Sequence, residues 1–185
     1  IKASAESKTR LAGVLDAGER QALVGVMLGR VVDAANSAQS IDRVCLVGPS
    51  RMGLPKEIRL LNDPGRGLNA AVQSALAEIV DEGVDRVVII AADLPQVTAQ
   101  ELDLLAAAPA GTIAIAPDRH ETGTNALSLP LPAARDFRFA YGVDSFALHK
   151  AEAGRLGLAL EIVLSRGLGY DIDEPEDLAH IQSTA

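Results

Sequence analysis

The sequence predicts an α/β sandwich with a mostly parallel sheet covered by helices on both faces. Short β-branched runs alternate with stretches of helical spacing along the chain. The run Asp85-Arg-Val-Val-Ile-Ile-Ala-Ala-Asp93 is apolar on successive residues, as expected of a strand buried on both sides. Two capping-box signatures, Asp16 with Glu19 and Thr98 with Glu101, mark helix starts.

In chain order, the Asp16 cap leads into apolar positions at Leu23, Met27, Leu28, Val31 and Val32, predicting a helix that ends near Ser37. Arg43-Val-Cys-Leu-Val-Gly, closed by Gly48-Pro49, reads as a buried strand, and residues 58–61 as a second. Residues 67–82 carry Leu68, Val72, Leu76, Ile79 and Val80 at helical spacing before the strand at 85–93. The Thr98 cap starts a helix reaching about Ala108, and a strand follows at 112–116. Residues 125–129 read as a strand stopped by Pro130 and Pro132, 145–154 as a helix and 158–164 as a strand. Pro175, at a first helical turn, starts a short final helix. With no internal repeat or linker in 185 residues, one domain spanning 1–185 is expected.

Composition narrows the function. A net charge of −8 repels nucleic acids and anionic membranes, and 3% aromatics with no Trp leaves no platform for stacking bases. A polyanionic ligand therefore needs a divalent cation, placed Lys or Arg side chains, or backbone N–H groups at a helix start. Cys45 is the only cysteine, which rules out an intrachain disulfide and a cysteine zinc site and fits a cytoplasmic setting. No apolar run is long enough to span a bilayer, and the first residues lack a secretion signal's apolar core.

Ligands of open parallel sheets bind beyond the carboxyl ends of strands, so Asp93, which ends the most apolar run, is the first candidate. In Tyr170-Asp-Ile-Asp-Glu-Pro-Glu-Asp177, Asp171 and Asp173 are two apart and can face one cation together. Glu174, Glu176 and Asp177 are expected only to complement the positive end of the last helix. Gly65 and Gly67 precede a helix in a loop, Asn62 to Asn69, that can hold a nucleotide or form an ordinary turn. Lys2, Lys8 and Arg10, with Ser7 and Thr9, suit triphosphate oxygens. Glu121-Thr-Gly-Thr-Asn125 and Tyr141-Gly-Val-Asp-Ser145 can each cradle a phosphate. His120, His149 and His180 lack metal-ligand spacing and are expected in surface or packing roles.

These segments, in this order, resemble the 2-phospho-L-lactate guanylyltransferase family of deazaflavin coenzyme F-420 biosynthesis, including its bacterial phosphoenolpyruvate-using members. The resemblance runs almost end to end. It is carried by Ser7-Lys-Thr-Arg-Leu-Ala12, Gly65-Arg-Gly-Leu-Asn69, Ala92-Asp-Leu-Pro95, Ala116-Pro-Asp118, Gly123-Thr-Asn-Ala-Leu127, Phe139-Ala-Tyr-Gly142 with Ser145 and His149, and Asp171-Ile-Asp-Glu-Pro-Glu-Asp-Leu178. Ala-Asp-Leu-Pro occurs in many nucleotidyltransferases; its combination with Gly-Thr-Asn-Ala-Leu and the final motif is specific.

The resemblance implies a Rossmann-like nucleotidyltransferase sandwich in which Asp93, Asp171 and Asp173 bind Mg2+. It places the acid's phosphate on Thr124, Gly142 and Ser145, with Asn125 in the same substrate set. Lys2, Lys8 and Arg10 would meet the triphosphate, Lys8 counting with the aspartates as catalytic, while Gly65, Gly67 and Asn69 approach the nucleoside. GTP and a small phosphorylated acid are the implied substrates, phosphoenolpyruvate, 2-phospho-L-lactate and 3-phosphoglycerate remaining open. A downstream transferase accepting the product is a candidate partner. The family opens with an apolar strand ending in Pro-x-Lys, of which only Ile1-Lys2 stand here, so the opening strand is expected to be truncated before residue 1. Two rival readings are a molybdopterin-type nucleotidyltransferase and a nucleotide-binding regulatory protein that has lost catalysis.

Overall fold

Side chains two apart on a strand share a face, and this alternation decides the architecture. The computed structural model describes residues 8–180, without the side chains of Thr9, Ala179 and His180; Lys2 and the place expected for the opening strand lie outside the described residues. In β4 (Thr112–Pro117), Ile113 and Ile115 join one apolar cluster while Ala114 and Ala116 join the other. In β5 (Thr124–Pro130), Leu127 and Leu129 face the same way as the isoleucines, and Ala126 faces the alanines. Val87 and Ile89 of β3 (Arg86–Ile90) follow the first set, Val88 and Ile90 the second.

Helices close both faces. On the alanine side lie α1 (Ala17–Ser37) and α3 (Ala99–Ala106), which send in Val31, Ala35, Leu102 and Leu105. On the other side α2 (Leu68–Ile79) and α4 (Ser145–Arg155) contribute Val72, Leu76, Phe146 and Ala153, joined by Phe137 and Phe139. Each fully buried Leu, Ile or Phe is worth about 1.5–3 kcal/mol against leaving it exposed. Both expected capping boxes form: Asp16 Oδ1 accepts from Glu19 N at 2.8 Å, and Thr98 N donates to Glu101 Oε2 at 2.9 Å.

The strands form the expected α/β sandwich with one strand reversed. β1 (Cys45–Val47) and β2 (Arg59–Leu61) pair parallel as one small sheet. The larger sheet has the order β3-β5-β4-β6, with β6 at Ala159–Ile162. β4 and β6 are parallel, whereas β5 runs antiparallel to both β3 and β4. The reversal follows from the short connection between β4 and β5, which a parallel crossover could not span. Among the described residues β1 and β3 do not pair; both line a cavity of about 1030 Å3 that also takes in apolar side chains of α1 and α2.

After β6, α5 (Arg166–Gly169) packs on the start of α3, an element that four residues of sequence do not announce. Gly167 N donates to Glu101 Oε1 at 2.7 Å, so Glu101 both caps α3 and holds α5. The approach requires glycine, because a Cβ on Gly167 would stand 2.6 Å from the Gln96 carbonyl oxygen and 2.8 Å from Val97 Cα. Gly167→Ala is therefore expected to cost about 1–3 kcal/mol through overpacking. The measurement is the midpoint of urea unfolding, and an unchanged midpoint would show that the backbone yields freely there.

Candidate active site

Four charged side chains from three distant parts of the chain meet where β3 ends. Asp93 follows β3, and Leu94, fully buried, turns the chain into the core. Asp171 and Asp173 flank Ile172, which is fully buried against Leu11, Val24 and Met27 and donates its N–H to Asp93 O at 3.3 Å. With Ile172 anchored inward, its two neighbours turn outward together, as the two-residue spacing predicts. Leu11 in the same cluster fixes the 3-10 turn Thr9–Gly13, and Lys8 before it adopts a left-handed conformation with φ 57°.

From there Lys8 Nζ reaches Asp93 Oδ2 at 2.5 Å and Asp173 Oδ1 at 2.8 Å. Burial pulls the Lys8 ammonium toward neutrality, but the Asp93 and Asp173 charges more than offset this and raise its pKa, so it stays protonated. Among the described residues Asp171 has no such ion pair. Burial, then the Asp93 and Asp173 charges, push its carboxyl above the usual aspartate range. It is less solvent-facing than a residue at a sheet edge should be, and Asn125 Nδ2 approaches its Oδ1 at only 3.5 Å while donating to Leu168 O at 2.9 Å. Arg10, largely exposed, lies 3.9 Å from both Asp173 and Glu174.

Asp177 corrects the expectation from sequence. It is 4% exposed, and its Oδ2 accepts from Asp173 N at 3.0 Å and Glu174 N at 2.8 Å, while Oδ1 accepts from Arg119 Nη1 at 2.7 Å. Arg119 in turn sits over the Tyr170 ring, 5.2 Å from its centroid. Asp177 thus shapes the backbone that carries Asp173. The signal was present: Pro175 as first residue of the final 3-10 segment, Pro175–His180, makes Asp177 the third, where an acidic side chain reaches back to cap-residue N–H groups.

The proposed substrate residues separate into two groups. Thr124 and Asn125, at the start of β5, line the same cavity as Lys8, Asp93, Asp171 and Asp173. Gly142 and Ser145 lie past Tyr141, which also lines that cavity, at the entrance to α4. Gly142 has φ 130°, and Asp144 before α4 takes φ 56°, a left-handed conformation Asp tolerates better than most residues. Asn69 takes the Tyr141 backbone in a two-point grip, with Oδ1 accepting from its N–H at 2.7 Å and Nδ2 donating to its carbonyl at 3.0 Å. Gly65 (φ 70°) and Gly67 (φ 91°, ahead of α2) use the conformational freedom expected of that loop. His149, expected at the surface or in packing, is fully buried with both ring nitrogens hydrogen-bonded; His120 is exposed and accepts from Arg119 Nε.

Among the described residues no three His, Cys, Asp or Glu side chains are grouped as a ready metal site, Lys8 standing between Asp93 and Asp173. Nor is any helix long and apolar enough to cross a membrane.

Comparison with known proteins identifies the family and the fold. The family model described as "Guanylyl transferase CofC like" matches residues 1–183. A phosphoenolpyruvate guanylyltransferase of Sphaerobacter thermophilus is 42% identical over 184 residues, covering 97% of this chain and 88% of that protein. A 2-phospho-L-lactate guanylyltransferase of Halorubrum lacusprofundi is 35% identical, covering 94% and 78%. Among solved structures, a protein described as a nucleotide-diphospho-sugar transferase from Desulfovibrio desulfuricans superposes with TM-score 0.73 at 18% identity, covering 97% of this chain and 81% of that one. A Methanothermobacter nucleotidyl transferase superposes with TM-score 0.63 at 20% identity, over 84% and 78%. The fold is that of the nucleotidyltransferases, and the chain belongs to the CofC-like guanylyl transferase family.

Proposed function

We propose that this chain transfers GMP from GTP to a small phosphorylated acid, phosphoenolpyruvate or 2-phospho-L-lactate, and releases pyrophosphate, as a step in coenzyme F-420 biosynthesis. One observation carries the reading: Lys8, Asp93, Asp171 and Asp173 line one cavity with Thr124 and Asn125, so charge-handling groups and neutral donors share one space. Relatives bearing those two substrate names are 35–42% identical over nearly the whole chain, which supports the substrate class.

An acid's phosphate oxygen attacks the α-phosphorus of GTP, the bond from that phosphorus to the β-bridging oxygen breaks, and pyrophosphate leaves with the electron pair. The nucleophile is already ionised at neutral pH, so no strong general base is required. The protein's work is positioning and charge neutralisation. Three carboxylates at the cavity mouth suit Mg2+, a hard cation that takes oxygen ligands, and we assign it to Asp93, Asp171 and Asp173. When bound, it would offset the repulsion between two polyanions and stabilise the in-line transition state. Lys8 supplies a permanent charge beside Asp93, and Arg10 an exposed one at the rim. Thr124 presents a neutral donor to the acid, and Asn125 beside it holds the Leu168 carbonyl and faces Asp171.

Incubating the chain with GTP and each acid in turn, with and without Mg2+, should yield one product at the mass of GMP joined to the acid, in step with pyrophosphate. No product with either acid would refute the assignment. Asp93→Asn and Asp171→Asn should each lower kcat at least 100-fold, on the order of the loss of one strong electrostatic contact. Retained Mg2+-dependent turnover would remove that residue from the metal set.

Asp171→Asn carries a second expectation. Because its carboxyl is raised in the folded chain, the folded state holds that proton more tightly than the unfolded state does. Ionisation therefore costs stability, fully above the folded pKa and not at all below the unfolded value. Without divalent cation, Asp171→Asn should melt no lower than the parent at pH 7. The advantage should vanish as pH falls below about 4, the usual aspartate range. Thermal scans across pH decide it, and a variant that melts lower at pH 7 would show that the carboxylate stabilises the fold.

A further inference from the structure

His149 is fully buried, and its ring is fixed on three sides. The Tyr141 ring meets it edge-on with centroids 4.9 Å apart, and the Phe137 ring lies 5.6 Å away. Ala140 N donates to Nε2 at 2.9 Å, and Nδ1 lies 3.0 Å from Thr124 Oγ1.

These contacts determine the tautomer. A backbone N–H can only donate, so Nε2 must present its lone pair and carries no proton. Burial lowers the His149 pKa to about 4, partly opposed by the Glu152 charge, so the ring is neutral at physiological pH. A neutral imidazole with a bare Nε2 has its single proton on Nδ1. Nδ1–H therefore donates to Thr124 Oγ1, and the threonine hydroxyl accepts. Its own proton cannot return to the histidine and is left for a third partner. Thr124 lines the cavity that holds Lys8, Asp93 and Asp171. An anion arriving there accepts hydrogen bonds and cannot donate them, so a hydroxyl obliged to donate matches it. The N–H···O–H chain also polarises the hydroxyl and strengthens its donation.

We propose that His149 is a positioning residue that fixes the Thr124 hydroxyl as a donor to the anionic group of the acid substrate. The proposal rests on the reading of Thr124 as part of the acid's site. It also accounts for the second contact: by holding Ala140, the same ring fixes the approach of Tyr141, whose backbone Asn69 grips from the other side.

The test is steady-state kinetics with GTP and whichever of phosphoenolpyruvate and 2-phospho-L-lactate is turned over faster. Thr124→Val should raise KM for the acid about tenfold, the scale of one hydrogen bond to a charged group, and leave KM for GTP within about twofold. Thr124→Ser should restore it. His149→Leu should raise the acid KM in the same direction, and the double variant should be no worse than the more affected single one, because both remove the same interaction. His149→Asn can place an amide N–H near the Nδ1 position, whereas His149→Gln can reach Ala140 N with its carbonyl but not replace the donor. Asn should therefore keep the acid KM and Gln should lose it, a comparison that holds even where His149→Leu fails to fold.

Multiplying effects in the double variant, equal changes in both KM values, or an acid KM better preserved by Gln than by Asn would overturn the positioning role. An unchanged acid KM in Thr124→Val would overturn it together with the acid site at Thr124, while GMP transfer itself stood. Failure to turn over either acid would overturn the functional reading beneath all of it.

Discussion

The interaction on which the site depends is the double ion pair of Lys8 with Asp93 and Asp173, which joins residues 85 and 165 positions apart in the chain. An acidic protein that gathers three carboxylates at one strand end must offset their repulsion. Lys8 does this for two of them, leaving Asp171 as the one whose ionisation is opposed. The lysine can do so only because its backbone is fixed. Leu11 is sealed into a cluster with Val24, Met27 and Ile172, and Ile172 lies between the two aspartates of the final motif. The same apolar contact that holds the cation's turn thus holds the carboxylates it faces.

Around this pair the supports form a chain of hydrogen bonds with few idle members. Glu101 caps α3 and holds Gly167 of α5. Asn125 takes the Leu168 carbonyl and leans toward Asp171. Asp177 accepts from the backbone of Asp173 and Glu174 and is itself paired with Arg119. These contacts tie residues 167–174 to α3, to β5 and to the final 3-10 segment.

Local features of the fold were legible because their causes are local. Capping boxes and the strand-forming runs of β3, β4 and β5 are written in adjacent residues and each element formed, but among the described residues β3 stands partly buried at the edge of its sheet and not buried on both sides as its apolar run predicts. The spacing of Asp171 and Asp173 told that they share a side, but not that Lys8 would stand between Asp173 and Asp93, since nothing in a sequence ranks pairings over such separations. The hydrogen bonds of His149 were not legible for a similar reason: its partners, Ala140 and Thr124, are set by how α4 packs on β5. Asp177 was the avoidable miss, because its position after Pro175 is a local signal read for charge alone. The reversed strand β5 needed only the length of its preceding turn.

The gathered charges share one cavity. Among the described residues it is lined by the three carboxylates and Lys8, by β1 and β3, and by apolar side chains of α1 and α2. Burial at Asp171 weakens solvent screening, so neighbouring charges act on it more strongly than they would on an open surface. Burial, with the Asp93 and Asp173 charges beside it, makes that carboxylate costly to ionise, which is why Asp171 resists ionisation. Under the proposed assignment, a divalent cation entering with a polyanionic substrate would offset both the repulsion among the carboxylates and that between the carboxylates and the substrate.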